Sequence, residues 1–320
     1  MSFSTIQSFA PLRTEPVGFQ RFWDETMADL SKVDPSPIAY DPASVGGTEF
    51  TEIAFTSLDN VKILGYLIRQ PNTAPLIVHT HGYNDQYCVM DEWAAKGFHV
   101  MGLDLRGFGR SEFPVHEDGY VLTGLESQHS SILRGAVCDL IQALEASRTL
   151  FGDAITKTVL YGFSFGGAMA TMAGALSQHP DLIVVGQPTL GWHSERRRVS
   201  LAGSTKELNE FLHHHPALEG RVVETLSYFE SMHFAARISK PILMGVGLDD
   251  DVVPSRTVLA IFNHLASAQK ELRLLPVSHS HDPRENLWRQ FDEEWLTNAK
   301  SGGLNGFGAP DRQVRTIMSE

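Results

Sequence analysis

The sequence is short of cysteine, of basic residues and of long apolar runs. Its 320 residues include only two cysteines, Cys88 and Cys138, which are too few for a disulfide framework or a cysteine-based zinc site. We expect both to be buried as small apolar residues. Lys and Arg number 26 against 38 Asp and Glu, for a net charge of −12, which argues against a nucleic-acid-binding face. No apolar run reaches the ~18–20 residues that a membrane helix needs.

The N-terminal segment also lacks a recognisable leader. MSFSTIQSFAPLRTEP has no basic stretch followed by an apolar one, so it does not read as a secretory signal. We therefore expect a cytoplasmic protein. Hydrophobic residues make up 42% and charged residues 20% of the chain, which is typical of a globular protein rather than a disordered one.

From Ala74 onward, short apolar runs alternate with amphipathic helical segments. The runs are rich in Val, Ile and Leu, as expected for strands buried on both faces of a parallel sheet: PLIVHTH, FHVMGLDL, TKTVLYGF, LIVVGQ, KPILMGVG and KELRLLPV. Helical patterns lie between them, near 86–96, 130–148, 165–177, 254–267 and 284–298. This alternation predicts a single α/β domain over residues 1–320, with a mostly parallel, doubly wound sheet and helices on both faces.

Four segments depart from the alternation. Residues 1–48 predict an N-terminal arm of loop and one short helix, in PVGFQRFWDETMADL. Residues 49–71 predict a hairpin that turns at Leu58-Asp59-Asn60. Residues 190–234 are helical, polar and rich in histidine, which indicates an insertion over the sheet rather than a second domain. Residues 299–320 are Gly-rich and predict an extended tail.

One pentapeptide carries the signature of a nucleophile. Gly162-Phe163-Ser164-Phe165-Gly166 lies between a β-branched strand and a helix of small residues. A serine on such a sharp strand-to-helix turn is strained, and small residues two positions away on either side prevent clashes. We predict that Ser164 is a catalytic nucleophile.

A serine nucleophile needs a base, and the base needs an orienting acid. With such a strand-turn-helix serine, the chain order is Ser, then Asp or Glu, then His. Asp249, Asp250 and Asp251 follow one predicted strand, and His279 and His281 follow the next. The order is satisfied, but three aspartates compete for the acid and two histidines for the base.

An ester or amide carbonyl also needs two N–H donors for its developing negative charge. One donor is expected to be the backbone N–H of Phe165, the residue after the nucleophile. The other is expected from the loop after the first core strand, with the N–H of Tyr83 in His81-Gly82-Tyr83 the best candidate.

Other polar clusters are expected to have structural roles. His79 and His81 form an H-x-H pair without an evident third ligand, so we predict no metal site. The runs His213–His215 and Arg196–Arg198 are expected to be solvated. Arg106–Arg110 contains G-x-G in a tight loop but lacks the remainder of a dinucleotide fingerprint.

Four stretches resemble one known family. They are HTHGYND, LDLRGFGRS, LYGFSFGGAMA and the long TLSYFESMHFAARISKPILMGVGLDDDVVPSRTVLAIFNHL. From about Pro16 to Leu296 the chain is similar to carbohydrate esterase family seven, the acetyl xylan esterases and cephalosporin C deacetylases. The resemblance implies the α/β-hydrolase fold with a helical insertion over the strand ends.

The family motifs R-G-Q, G-x-S-Q-G and H-E align with specific residues of this chain. The resemblance implies Ser164 as the nucleophile and Asp250, in a G-L-x-D sequence before a proline, as the acid. It implies His281, which precedes an acidic residue, as the base. The implied oxyanion donors are the backbone N–H groups of Tyr83 and Phe165.

Three positions differ from the family motifs. Phe108 and Phe165 replace the two glutamines, and Asp282 replaces the glutamate. The backbone N–H of Phe165 is unaffected, whereas the side chains near it become apolar. The spacing before the histidine also differs slightly, which keeps His279 open as the base.

The resemblance implies a serine esterase that removes acetyl groups from small carbohydrate esters and from cephalosporin C. It further implies a small-molecule substrate, cytoplasmic placement and ring-shaped hexamers, with no cofactor. Two alternatives are a general short-chain carboxylesterase with a broadened apolar pocket and a catalytically silent binding protein of the same fold.

Overall fold

A computed structural model describes residues 10–45, 47–279, 286–300 and 314–317. The strands are β1 Ile38–Val45, β2 Thr48–Ser57, β3 Val61–Ile68, β4 Ala74–Thr80, β5 His99–Leu103, β6 Ile155–Phe163, β7 Leu182–Gly186, β8 Ile242–Gly247, β9 Lys270–Leu275 and β10 Val314–Thr316. The α-helices are α1 Phe19–Leu30, α2 Asp91–Ala95, α3 Ile132–Phe151, α4 Phe165–Leu176, α5 His193–Val199, α6 Gly203–His214, α7 Glu219–Ser227, α8 Ser231–Ala235, α9 Ser255–His264 and α10 Asn286–Lys300.

All of these strands belong to one sheet, in the order β1-β2-β3-β5-β4-β6-β7-β8-β9-β10. Neighbours are antiparallel from β1 to β5 and parallel from β5 to β10. The chain leaves β4 to one side for β5 and then crosses to the other side for β6. The predicted doubly wound, mostly parallel sheet is confirmed, and so is the predicted hairpin, which β2 and β3 form.

The central strands are buried on both faces, as their continuous apolar runs predict. In β4, Leu76 and Val78 pack into the core beneath α3 and α4. Ile77, between them, packs into the core beneath α2 and α10. Successive side chains of a strand point to opposite faces, so the two cores lie on the two sides of the sheet.

The N-terminal arm contains more than the predicted helix and loop. Helix α1 buries Phe19, Phe22 and Trp23, and the indole of Trp23 donates to the carbonyl oxygen of Tyr228 at 3.1 Å. The Pro-rich segment after it forms β1, an edge strand whose register shifts before Pro42. Proline cannot donate to a ladder, and edge strands and bulges are where sheets tolerate it.

Helices α5–α7 and all but the last residue of α8 fall within the predicted insertion, residues 190–234. Their packing corrects one expectation, because Arg196 is not solvated but 3% exposed. Its guanidinium donates to Ser204 and Thr205 in the first turn of α6. Arg196 therefore joins α5 to α6.

One further expectation needs correction. Cys138 is buried in α3, as expected, but Cys88 is exposed. In the tail predicted to be extended, the described residues 314–317 include the strand β10, which adds to the sheet beyond β9. In the described parts of the chain, no helix combines the length and apolar character needed to cross a membrane.

Candidate active site

Ser164 occupies a sharp turn between β6 and α4. Its backbone has φ 54° and ψ −114°, a conformation that is strained for a residue with a side chain. Its N–H donates to the Gly186 carbonyl at 2.9 Å, and its carbonyl accepts from the Thr189 N–H at 3.1 Å. These bonds from the neighbouring strand end hold the strained turn in place.

The two glycines of the pentapeptide are required by close contacts. A Cβ atom on Gly162 would lie 2.1 Å from the carbonyl oxygen of Gly166. A Cβ atom on Gly166 would lie 2.8 Å from the carbonyl oxygen of His81. The turn therefore brings the start of α4 against the end of β4, as the sequence pattern predicts.

Asp250 is the one of the three consecutive aspartates that is buried; Asp249 and Asp251 are exposed. Its Oδ1 accepts from the N–H groups of Val252 and Val253 at 2.9 and 2.7 Å. Its Oδ2 lies 2.8 Å from Nδ1 of His279. A carboxylate accepts from Nδ1–H, so Nε2 of His279 keeps its lone pair, the tautomer that a general base needs.

Among the residues that the structure describes, the histidine in contact with Asp250 is His279. His281, the base that the family resemblance implies, lies outside the described residues. His279 comes shortly after the end of β9, and its ring lies 5.4 Å from that of Phe163, measured between centroids.

Ser164 and His279 line the same cavity, which measures about 500 Å³. Small-molecule sites commonly have volumes of ~300–1,000 Å³. Tyr83 and Cys88 also line it, as does Gly203 at the start of α6, so the insertion contributes to its wall. A larger cavity of about 700 Å³, between the end of α1 and α3, has Glu145, Ser31 and Lys32 among its lining residues but no serine paired with a base.

His81, a residue of the loop after β4, fixes the conformation of that loop through two hydrogen bonds. Nε2 of this histidine accepts from the Leu105 N–H at 3.1 Å, so Nδ1 carries the hydrogen and donates to the Gly82 carbonyl at 2.7 Å. Burial lowers the pKa of His81, which favours this neutral form. In a trans peptide the carbonyl and the next N–H point in opposite directions. Fixing the Gly82 carbonyl therefore also fixes the direction of the Tyr83 N–H.

Four aromatic rings, two of them the side chains of the expected oxyanion donors Tyr83 and Phe165, pack in one cluster. Phe108 stacks on Tyr120 with 4.1 Å between centroids. Phe165 contacts Tyr83, Phe108 and Tyr120 edge-to-face, at 5.5, 5.9 and 5.7 Å. The two phenylalanines that replace the family glutamines thus pack against each other in an apolar cluster.

His79 and Arg106, also singled out in the sequence, have structural partners, whereas His213–His215 are exposed, as predicted. Nε2 of His79 lies 2.7 Å from the hydroxyl of Tyr66, and burial lowers the pKa of His79 to about 3. Arg106 forms a buried, bidentate pair with Asp139. No group of three possible metal-ligating side chains is found within the described ranges.

The sequence gives no indication of one contact at this site. Glu207, on α6 of the insertion, accepts a hydrogen bond from the hydroxyl of Tyr83 at 2.5 Å. The two residues are 124 positions apart, and no motif links them.

Known proteins resemble this chain in sequence and in fold. The model of the acetyl xylan esterase family (AXE1) matches residues 1–298. The acetyl esterase Axe7A of Xylanibacter ruminicola is 24% identical over 180 residues, which make up 55% of this chain. That match spans only 39% of the length of the curated relative.

Solved structures match over greater lengths. An acetyl xylan esterase from Paenibacillus sp. R4 is 26% identical, with a TM-score of 0.80 over 92% of this chain and 99% of that one. Acetyl Xylan Esterase 1 from Thermoanaerobacterium sp. JW/SL YS485 is 22% identical, with a TM-score of 0.80 over 91% and 98%, and shows the shared fold. Since the family model covers almost the whole sequence, the chain belongs to the acetyl xylan esterase family, a group of carboxylic ester hydrolases with the α/β-hydrolase fold.

Proposed function

We propose that this protein is a serine esterase that hydrolyses acetyl esters of small carbohydrates, such as acetylated xylo-oligosaccharides, through an acyl-enzyme. The observation that carries the proposal is the hydrogen bond between Asp250 and His279, at a cavity that Ser164 also lines. A strained serine, an imidazole in the basic tautomer and a buried acid are the three components that a nucleophilic triad requires.

The first half of the reaction forms the acyl-enzyme. Oγ of Ser164 attacks the acetyl carbonyl carbon while Nε2 of His279 takes the hydroxyl proton. The carbonyl oxygen becomes negatively charged and accepts from the N–H groups of Tyr83 and Phe165. When the intermediate collapses, the bond to the sugar oxygen breaks, and His279 gives its proton to that oxygen.

The second half releases acetate. Water attacks the acetyl-serine carbonyl and gives its proton to His279. The same two N–H groups stabilise the second oxyanion, and the proton returns to Oγ of Ser164. Asp250 orients the imidazole and stabilises its charged form in both halves, so no group outside this chain is needed to move a proton.

The family resemblance is the basis for proposing further substrates, a cellular location and an oligomeric state. We include cephalosporin C among the proposed substrates, and we propose cytoplasmic hexameric rings. Phe108, Phe165 and Tyr120 are buried and do not line the cavity of Ser164, so the alternative of a general short-chain carboxylesterase is left to the substrate panel. One extra methylene in an apolar pocket changes discrimination by only ~1–3 kcal/mol, so propionyl esters are expected to be moderately good substrates.

A substrate panel tests the proposal. Purified protein should release acetate from acetylated xylobiose and from p-nitrophenyl acetate, and butyryl esters should react more slowly. Ser164→Ala should abolish turnover, because removing a triad nucleophile costs on the order of 10⁶ in kcat. Unchanged activity in that variant would refute the assignment of the nucleophile. Inactivity of the wild-type protein on every ester would instead support the silent binding protein.

A further inference from the structure

We propose that Glu207 is a positioning residue that fixes the oxyanion loop through the side chain of Tyr83. This inference rests on the proposed function, in which the backbone N–H of Tyr83 is an oxyanion donor. It gives helix α6 of the insertion a part in transition-state stabilisation in addition to its place in the cavity wall.

The hydroxyl of Tyr83 uses both of its hydrogen-bonding capacities. It donates to Oε2 of Glu207 at 2.5 Å and accepts from the N–H of Val121 at 3.2 Å. A phenol must be protonated to donate to a carboxylate. Burial, followed by the bond to Glu207, raises the pKa of Tyr83 well above its usual value, so the phenol stays protonated at any pH used for an esterase assay.

The fold makes room for this carboxylate and fixes the helix that carries it. Gly119 has φ 155°, and a Cβ atom there would lie 2.3 Å from Oε2 of Glu207. The buried guanidinium of Arg196 donates to Ser204 at 2.6 Å and also to Thr205. These bonds secure the first turn of α6, one turn before Glu207, so the carboxylate is presented from a fixed element.

The loop that Tyr83 belongs to requires such anchors. Asn84 has φ 57°, a left-handed conformation that costs energy in a residue with a side chain and persists where surrounding contacts enforce it. His81 fixes the peptide before Tyr83 through the Gly82 carbonyl, and Glu207 fixes the side chain of Tyr83 itself. One anchor holds the backbone and the other holds the ring.

The expected loss of rate when Glu207 is replaced lies between no effect and the loss caused by removing an oxyanion donor. Removing an oxyanion donor outright costs ~10²–10³ in kcat. Loosening a donor that remains in place should cost less, so we expect a loss of about tenfold in the acylation rate. Since the anchor acts on the transition state, KM should change little.

The test compares Glu207→Leu, which cannot accept the hydroxyl, with Glu207→Gln, which can. Glu210→Leu is the matched control, because Glu210 is exposed on the same helix and its carboxyl pairs with Lys206. Two rates are measured for each folded variant: kcat on p-nitrophenyl acetate and phosphonylation of Ser164 by a fluorophosphonate. Thermal melting checks the fold.

We expect Glu207→Leu to lose about tenfold in both rates, and Glu207→Gln and Glu210→Leu to stay near wild type. Tyr83→Phe, which also removes the acceptor of the Val121 N–H, should lose at least as much as Glu207→Leu, and the double variant should be no worse than Tyr83→Phe. Rates in Glu207→Leu equal to those in Glu210→Leu would overturn the inference, as would losses that multiply in the double variant.

If Glu207→Leu does not fold, Tyr83→Phe decides the question, and normal rates in that variant would overturn the inference. Phosphonylation does not depend on the ester chosen. An inactive wild type whose Ser164 still reacts with the probe would therefore contradict the proposed function and still test Glu207.

Discussion

The hydrogen bond from Nδ1 of His279 to Asp250 makes His279 the proposed base. If His279 is the base, His279→Ala should lower kcat by about 10⁴-fold or more. Asp250→Asn should lower kcat by a similar factor, because an amide can favour the wrong tautomer. Steady-state kinetics on p-nitrophenyl acetate measures both losses.

His281→Ala and Asp249→Asn are the controls for these variants, and both should keep most of the activity. Inactivity of His281→Ala beside an active His279→Ala would restore the base that the family resemblance implies.

We expect Glu230 to make the stability of the protein depend on pH. Its carboxyl is buried, accepts from the N–H of His193 at 2.6 Å and lies 3.3 Å from the ring of His233. Burial raises the pKa of Glu230 from 4.5 to about 7. Burial lowers the pKa values of His233 and His193 to about 4 and about 3, so neither ring changes charge near neutral pH.

The sign of the effect follows from proton linkage. The folded protein binds the Glu230 proton more tightly than the unfolded chain does, so this group adds stability below about pH 4.5, and that stability is lost as pH rises through about 7. Glu230→Gln keeps an acceptor for His193 but cannot ionise. Its melting temperature relative to wild type should therefore rise between pH 4.5 and 7.5 and then level off.

Glu224→Gln, an exposed change on α7, controls for the lost charge. A constant difference between Glu230→Gln and wild type across this pH range would contradict the prediction.

Sequence reasoning at this scale proposed Ser164 as the nucleophile and left three aspartates for the acid, because local spacing carries that information. It left His279 and His281 both open as the base, since the two are only two positions apart in the sequence and spacing alone does not say which ring contacts the acid. It also gave no sign of Glu207, because a contact between residues 124 positions apart leaves no local pattern.

The strand-to-helix turn is the element on which the proposed nucleophile depends. A methyl group on Gly162 would meet the Gly166 carbonyl at 2.1 Å. Gly162→Ala should therefore destabilise the protein by more than about 2 kcal/mol and remove most of the activity. Thermal melting and kcat measure the two effects.

Gly220→Ala is the matched comparison for the turn. Gly220 lies in α7, and a Cβ atom there would meet nothing within 4 Å. Replacing an exposed helical glycine by alanine should stabilise the protein by about 0.5–1 kcal/mol. Equal stability of the two alanine variants would show that the turn tolerates a side chain.

Element prediction succeeded where periodicity was strong. The buried parallel strands β4–β9 follow continuous apolar runs, and helices α3 and α4 follow the predicted patterns. Strand β1 was missed because Pro42 argues against a strand, and only its place at the sheet edge, beside a register shift, accommodates it.

At the scale of the whole molecule, the proposed assembly would limit which substrates reach the site. If the proposed hexameric ring places its sites inward, a polymer cannot thread to them. Acetylated xylo-oligosaccharides should then release acetate faster than polymeric acetyl xylan at matched ester concentration. Native mass spectrometry measures the assembly. A hexamer that prefers the polymer would contradict this prediction.

The proposed catalytic groups come from the ends of four different strands, from Tyr83 after β4 to His279 after β9. Contacts this distant in sequence form late in folding, because each closes a long loop. A growing chain on the ribosome would thus carry its reactive serine long before the acid and the base that activate it are synthesised. Hydrolysis of a chromogenic ester would then begin only when the last strands of the sheet dock. The time at which hydrolysis starts would therefore report when folding is complete.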